Sequence, residues 1–184
     1  MKRFVLFLAV ALSLTTASAA TAQSNFGLKA LGGAIGYVSP ENLDGVFSIG
    51  GFADLGTVAP NIGIEARIDH WGWSETQFGV ETNVRDFQVG ARGKYYFPTA
   101  NPKVRPFAGA GLAAHFLSFE VQDNTTVPGY SVSDSQNKLG LDIGGGIATP
   151  INPKTDFLAE AWYGIVTDWS QFSLRAGLQY KIGN

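Results

Sequence analysis

The sequence predicts an all-β chain, an eight-stranded antiparallel up-and-down transmembrane barrel, and three observations carry that prediction. The first is the stretch from Phe172 to Ile182. Phe172, Leu174, Ala176, Leu178, Tyr180 and Ile182 fall on one side of a strand, and Ser173, Arg175, Gly177, Gln179 and Lys181 fall on the other. The second is its length, since roughly 9 to 11 residues suffice for a tilted strand to cross a bilayer. The third is composition. Gly is frequent at 23 residues, aromatics reach 12% and charged residues only 15%, against about a quarter in ordinary soluble domains.

At the start of the chain, residues 1–22 read as an export signal. Lys2 and Arg3 supply a positive start, Phe4 to Leu14 an apolar run, and Ala20-Thr21-Ala22 a small-residue cleavage site before Gln23. Ala17-Ser18-Ala19 competes as a cleavage site. The run is too short to span as a helix, and no later stretch reaches 18 continuous apolar residues. Residues 23–184 then form the barrel domain. The chain has no cysteine, so an exported fold of this size is held without disulfides. A formal net charge of −2 with no long basic run argues against nucleic acid as a partner.

The strands follow in order. Phe26 to Val38 is the first, and Lys29 shares its parity with Leu31, Ile35 and Tyr37, so a bulge at Gly32-Gly33 is expected to switch faces and turn both Leu28 and Ile35 outward. After a turn at Ser39-Pro40-Glu41-Asn42, the second strand sets Phe47, Ile49, Gly51, Ala53 and Leu55 against Ser48, Gly50, Phe52 and Asp54. The third alternates Ile62, Ile64, Ala66 and Ile68 with Gly63, Glu65, Arg67 and Asp69. Trp73 to Arg85 is polar and reads as a loop. The fourth sets Phe87, Val89, Ala91, Gly93, Tyr95 and Phe97 against Asp86, Gln88, Gly90, Arg92, Lys94 and Tyr96, and Pro98 to Pro106 ends it.

The fifth strand offers Ala108, Ala110, Leu112, Ala114 and Phe116 on one side and Phe107, Gly109, Gly111, Ala113 and His115 on the other. Glu120 to Asn137, rich in Ser, Thr, Asn and Asp, reads as a long loop. The sixth strand sets Leu139, Leu141, Ile143, Gly145 and Ile147 against Lys138, Gly140, Asp142, Gly144 and Gly146. The seventh sets Phe157, Ala159, Ala161, Tyr163 and Ile165 against Leu158, Glu160 and Trp162. Short connections follow strands two, four and six, and long ones follow three and five, as expected when the two ends of a barrel face different compartments.

A soluble lipocalin-type barrel would use the same alternation with the opposite sense. Size argues for apolar outside. Eight strands enclose a space that side chains just fill, and the polar face carries Gly at 90, 109, 111, 140, 144, 146, 164 and 177. The apolar face carries the bulk, with aromatics toward both strand ends: Tyr95, Phe97, Phe157 and Tyr180 at one, Trp71, Phe116, Tyr163 and Phe172 at the other. Membrane interfaces select such belts.

With these strands and the last stretch Leu174-Arg175-Ala176-Gly177-Leu178-Gln179-Tyr180-Lys181-Ile182 in view, the mature chain resembles the small eight-stranded outer-membrane β-barrels of Gram-negative bacteria, such as the transmembrane domain of outer membrane protein A and its compact relatives. The resemblance implies a monomer in the outer membrane, inserted by the barrel assembly machinery. Such barrels commonly end in an aromatic residue, whereas this chain ends Ile182-Gly183-Asn184, leaving Tyr180 or Ile182 for that part. No peptidoglycan-binding domain is expected after the barrel.

Six charged residues fall near mid-strand on the polar face: Glu65, Arg67, Arg92, Asp142, Glu160 and Arg175. Enclosed charges must pair, because an unpaired one costs several kcal/mol. A final hairpin centred between Thr167 and Asp168 puts Glu160 directly opposite Arg175. These six are expected to form a salt-bridge network that plugs the lumen, in preference to an ion gate. His115 and Ser118, three apart, fall on opposite strand faces and make no catalytic dyad. His70 lies on the apolar parity. Two separated histidines and no cysteine give no metal site, Gly144-Gly145-Gly146 precedes no helix that would hold a phosphate, and no cofactor is expected. Asn124-Thr125-Thr126 matches a glycosylation acceptor by chance.

The function expected is structural or surface-interacting and non-catalytic, with Asp123, Tyr130, Asp134 and Asn137 of the outer loops as possible contacts for a surface ligand. The alternatives are a narrow channel for small or hydrophobic solutes and, behind it, a lipid-modifying enzyme.

Overall fold

The computed structural model describes residues 25–101, 103–123 and 130–182. The signal segment 1–22, the acceptor-like Asn124-Thr125-Thr126 and the last two residues lie outside them. Eight strands run in chain order: β1 (Asn25–Pro40), β2 (Val46–Ala59), β3 (Ile62–Gln77), β4 (Val80–Tyr96), β5 (Arg105–Asp123), β6 (Tyr130–Asn152), β7 (Thr155–Val166) and β8 (Trp169–Lys181). Each pairs antiparallel with the next, and β1 pairs with β8, so the sheet closes on itself. Closure pairs the ladder of every strand around the ring, which is what allows a sheet to sit in hydrocarbon.

The alternation places the apolar set outside. Phe47 is 85% exposed and Leu112 69%, whereas Glu65, Arg67, Arg92, Lys94, Asp142 and Arg175 are buried. That is the reverse of a soluble barrel and matches a lipid-facing wall around a polar interior. Aromatic side chains mark both rims, with Tyr95 against Phe97 (5.2 Å between centroids) at the end near the termini and Phe87 against Phe116 (6.3 Å) toward the far end. Trp71, read from sequence as part of the far belt, instead points inward and is buried. It shares odd parity with Glu65, Arg67 and Asp69 on β3, and that parity governs its direction.

The strands are longer than the sequence suggested. The polar stretch 73–85, read as a loop, is strand on both arms with a two-residue turn at Phe78-Gly79. Both turn residues have positive φ, 51° and 81°, as a type I′ hairpin demands. Similarly, much of 120–137 is strand: β5 and β6 pair from His115↔Lys138 up to Asp123↔Tyr130. The reason is an inversion of polarity. Below the far rim the outward side chains of β5 are Leu112, Ala114 and Phe116; above it they are Ser118, Glu120 and Gln122. On β4 the same change runs from Val89 and Phe87 to Arg85, Asn83 and Glu81. Outside the hydrocarbon the outer face meets water, so polar residues sit there without ending the strand.

β2 leaves β3 after Ser48↔Trp71, and β7 joins β6 only from Val166↔Gly140. Beyond those points β3–β6 project as a four-stranded sheet with two unpaired edges among the described residues. At the other end, the bulge in β1 lies between Phe26 and Ala30, where Gly27 has φ 145°, and not at Gly32-Gly33. Leu28 and Ile35 both face outward as expected. The switch occurs earlier because Lys29, directly before Ala30, turns beside the open end and donates to Asn25 Oδ1.

Candidate functional site

The lumen is the only place where this chain gathers charged side chains in an enclosed space, among the described residues. Its construction follows from register. Large inward side chains face glycine on the adjoining strand: Lys94 faces Gly63 and Gly109, Arg92 faces Gly111, Trp162 faces Gly144, Glu160 faces Gly146, Arg67 faces Gly90 and Arg175 faces Gly36. A Cβ added at Gly144 would meet the Ala161 carbonyl oxygen and lie 2.8 Å from Cδ2 of the Trp162 ring. The glycine-rich polar face thus makes room for its partners' bulk.

At mid-height Lys94 Nζ donates to Glu65 Oε2 at 2.5 Å and to Glu160 Oε1 at 2.6 Å, joining β4 to β3 and to β7 across the lumen. The ammonium lies 4.6 Å from the centre of the Phe107 ring, an arrangement that adds cation–π attraction. Arg92 donates through Nε and Nη2 to Asp142 Oδ2 at 3.0 and 2.6 Å, and its guanidinium stacks 3.8 Å over Trp162. Trp162 Nε1 in turn donates to Glu160 Oε2 at 3.2 Å. Asp69 receives both Arg67, its neighbour two residues back, and Arg175 Nη2 at 2.6 Å.

The six residues singled out from sequence therefore all point inward and are buried, but their partners differ from the expected ones in part. Glu160 and Arg175 are register neighbours, yet their nearest charged atoms stand 4.0 Å apart. Each has a closer partner, Lys94 and Asp69. Both were visible on the polar face; what alternation could not supply was which long side chain reaches across the lumen, since register fixes only neighbours along the ladder.

Two further tiers close the ends. Toward the far rim, Asp86 Oδ2 pairs with His115 Nδ1 at 2.8 Å and accepts from Gln88 Nε2 at 2.8 Å, with Asp86 and His115 both fully buried. Above them Trp71 packs on Trp169 (5.8 Å) and joins Val38 and Val84 in an apolar cap with Trp73 and Phe119. Ser118 faces outward and is exposed, on the opposite side of β5 from His115. At the near end, Asp156 accepts from Arg105 Nη2 at 2.5 Å and faces Lys181 Nζ at 2.6 Å. A vestibule of about 610 Å³ opens there. Polar and charged side chains line it, among them Asp54, Tyr96, Arg105, Asp156 and Gln179, and a separate buried apolar cluster is made by Ala34, Phe52, Ala148 and Leu158.

Between cap and floor, the void bordered by Arg67, Asp69, Arg92, Asp142 and Arg175 holds only about 20 Å³, space of the order of one water molecule. The geometry is that of a filled cylinder held by crossing ion pairs. His70, as its parity implied, faces outward and is exposed, its Nδ1 2.9 Å from the Asp86 carbonyl oxygen.

The family model described as outer membrane protein beta-barrel domain matches residues 7–183. Neisserial surface protein A superposes with a TM-score of 0.67 at 19% identity, over 84% of this chain and 97% of that one. Ail, the attachment invasion locus protein of Yersinia pestis, gives 0.57 at 14% identity, over 84% and 97%, and has also been crystallised with the heparin analogue sucrose octasulfate. The N-terminal β-barrel domain of Pseudomonas aeruginosa OprF gives 0.53 at 13% identity, over 85% and 99%. Among curated protein sequences none matches the chain.

Proposed function

The chain belongs to the outer membrane protein β-barrel domain family and resides in the bacterial outer membrane, and from that premise we propose that it is a non-catalytic structural and surface-contact barrel whose lumen is sealed by its own ion pairs. The observation that carries this is Lys94 held between Glu65 and Glu160. Its bonds cross the space a solute would need, and breaking them would strand buried carboxylates at a cost of several kcal/mol. A channel for small or hydrophobic solutes fits less well, because the void bordered by Arg67, Asp69, Arg92, Asp142 and Arg175 is only water-sized.

An enzymatic reading has the same difficulty. The buried His115–Asp86 pair resembles half of a hydrolytic triad, but Ser118 faces the other side of the wall. Trp169, 6.1 Å away between ring centres, lies against the imidazole. Residues 1–22 are a signal removed on export, and the mature chain is a monomer inserted by the assembly machinery. Mass spectrometry of the mature N-terminus checks the first of these, with Gln23 expected as the first residue.

What the outer surface meets is a matter of charge. Beyond the far rim the sequence places Glu41, Asp44, Glu75, Glu81, Glu120, Asp123, Asp134 and Asp168 against only Arg85 and Lys138. Sucrose octasulfate, bound by Ail, is a polyanion; this acidic surface does not suit one. Planar-bilayer recording of the purified full chain tests the sealed lumen. Stable zero conductance is expected, and reproducible unitary steps would overturn the reading in favour of a channel.

A further inference from the structure

The projecting part of β3–β6 has two unlike faces. Its outer face is polar throughout. The inner face carries two apolar rows, Trp73–Val84–Phe119 and Thr82–Val121–Val132, set by the pairings of β3 with β4, β4 with β5 and β5 with β6. The lower row packs on the apolar cap of the lumen. Among the described residues the upper row is left uncovered: Val121 is 40% exposed and Val132 50%. Leu43 and Val46 beside the β1–β2 turn and Trp169 at the start of β8 pack against the cap that holds Val84 of the lower row.

Acids terminate both rows at the free edges. Glu75 lies beside Thr82 on the β3 side, and Asp134 beside Phe119 on the β6 side. They accept hydrogen bonds from neutral groups alone, Glu75 from Gln77 Nε2 and Asp134 from Gln136 Nε2 and the Ser135 backbone N–H, so each keeps its charge uncompensated. The one base on this face, Lys138, is already engaged by Asp168.

The tip adds an independent mark. Phe78 occupies the first central position of the type I′ turn with φ 51° and is 97% exposed. That position favours Asn, Asp or Gly. A bulky residue there costs backbone energy and gains no packing from its own chain. A turn that displays a bare aromatic ring at the expense of local stability is what a contact anchor requires.

Resting on the surface-contact reading above, we infer that the inner face of the projecting sheet, with Phe78 at its tip, docks a basic polypeptide segment bearing apolar side chains. The apolar side chains cover Val121 and Val132, and lysine or arginine side chains pair with Glu75 and Asp134. Carboxylates at both edges repel sulfated or phosphorylated polyanions and fatty-acid carboxylates, which selects a cationic partner over an acidic one.

The test uses the full chain in phosphatidylcholine nanodiscs and a fluorescein-labelled dodecapeptide of alternating lysine and leucine, with binding read by anisotropy. Saturable binding above that to empty nanodiscs is expected. The double substitution Glu75→Gln with Asp134→Asn should weaken it about tenfold, and Phe78→Asn by a similar factor. Because Asn suits the turn, Phe78→Asn should leave the heat-modifiable gel mobility of the barrel intact, which separates lost contact from lost fold. Equal binding by the wild type and both variants, or no excess over empty discs, would overturn the inference. So would saturable binding of sucrose octasulfate with none of the peptide, although a surface-contact role would then stand with a polyanion as partner.

Discussion

The same four strands, β3 to β6, obey opposite rules in their two halves. In the lower half apolar side chains point out and charges point in; in the upper half polar side chains point out and valines and aromatics point in. Backbone geometry does not change across the rim, since the β4–β5 ladder runs unbroken from Tyr96↔Phe107 to Val80↔Asp123. What changes is the solvent on the outside. The comparison teaches that strand register is inherited from the backbone, whereas the identity of the oily face is dictated by whatever surrounds each stretch of wall.

The largest expected effect is in the lower interior. Lys94→Ala removes the only cation hydrogen-bonded to Glu65 and Glu160 among the described residues and should cost about 3 to 5 kcal/mol in urea unfolding of the refolded barrel. The triple change Glu65→Gln, Lys94→Met, Glu160→Gln should recover most of that loss, because no buried charge is then stranded. Equal losses in single and triple variants would show that the crossing ion pairs do not hold the wall.

Next comes the wall itself. Leu112→Arg, facing hydrocarbon near mid-height, should cost about 2 to 4 kcal/mol. Ser118→Arg, six residues further along β5 and outward above the rim, should cost under about 0.5 kcal/mol. Similar penalties at the two positions would erase the boundary inferred between Phe116 and Ser118. The smallest effect belongs to the tip: Phe78→Asn should be neutral or raise stability by up to about 1 kcal/mol in the same unfolding assay. A clear destabilisation would mean that the ring packs against its own barrel.

Most of the lower half was legible from sequence, because alternation with a single outside solvent is a two-way code. The eight strands, the inward turn of the glycines and the burial of Glu65, Arg67, Arg92, Asp142, Glu160 and Arg175 all follow from parity. The upper half was not legible, since Glu75, Asn83, Glu120 and Asp134 read as loop when strand is recognised by apolar alternation alone. Phe78-Gly79 gave no familiar turn signal, Phe being a poor occupant of its place. Within the lumen, parity named the participants, but the partners of Arg175 and Glu160 depend on the reach of flexible side chains. Trp71 shows the converse error, an aromatic assigned by chemical type to a membrane belt although its position on β3 already sent it inward.

The glycine placed across from each large lumen side chain has a consequence for redesign. Volume inside this cylinder is held in complementary couples, such as Trp162 with Gly144 and Lys94 with Gly109, so enlarging one member without shrinking the other jams the wall. Hollowing it, by contrast, asks nothing of the glycines: trimming Trp162, Lys94 and Phe107 together would leave their small neighbours as the lining of a cavity below the Trp71–Trp169 cap. Room inside this barrel is therefore gained by cutting back long side chains and lost by adding to the glycines.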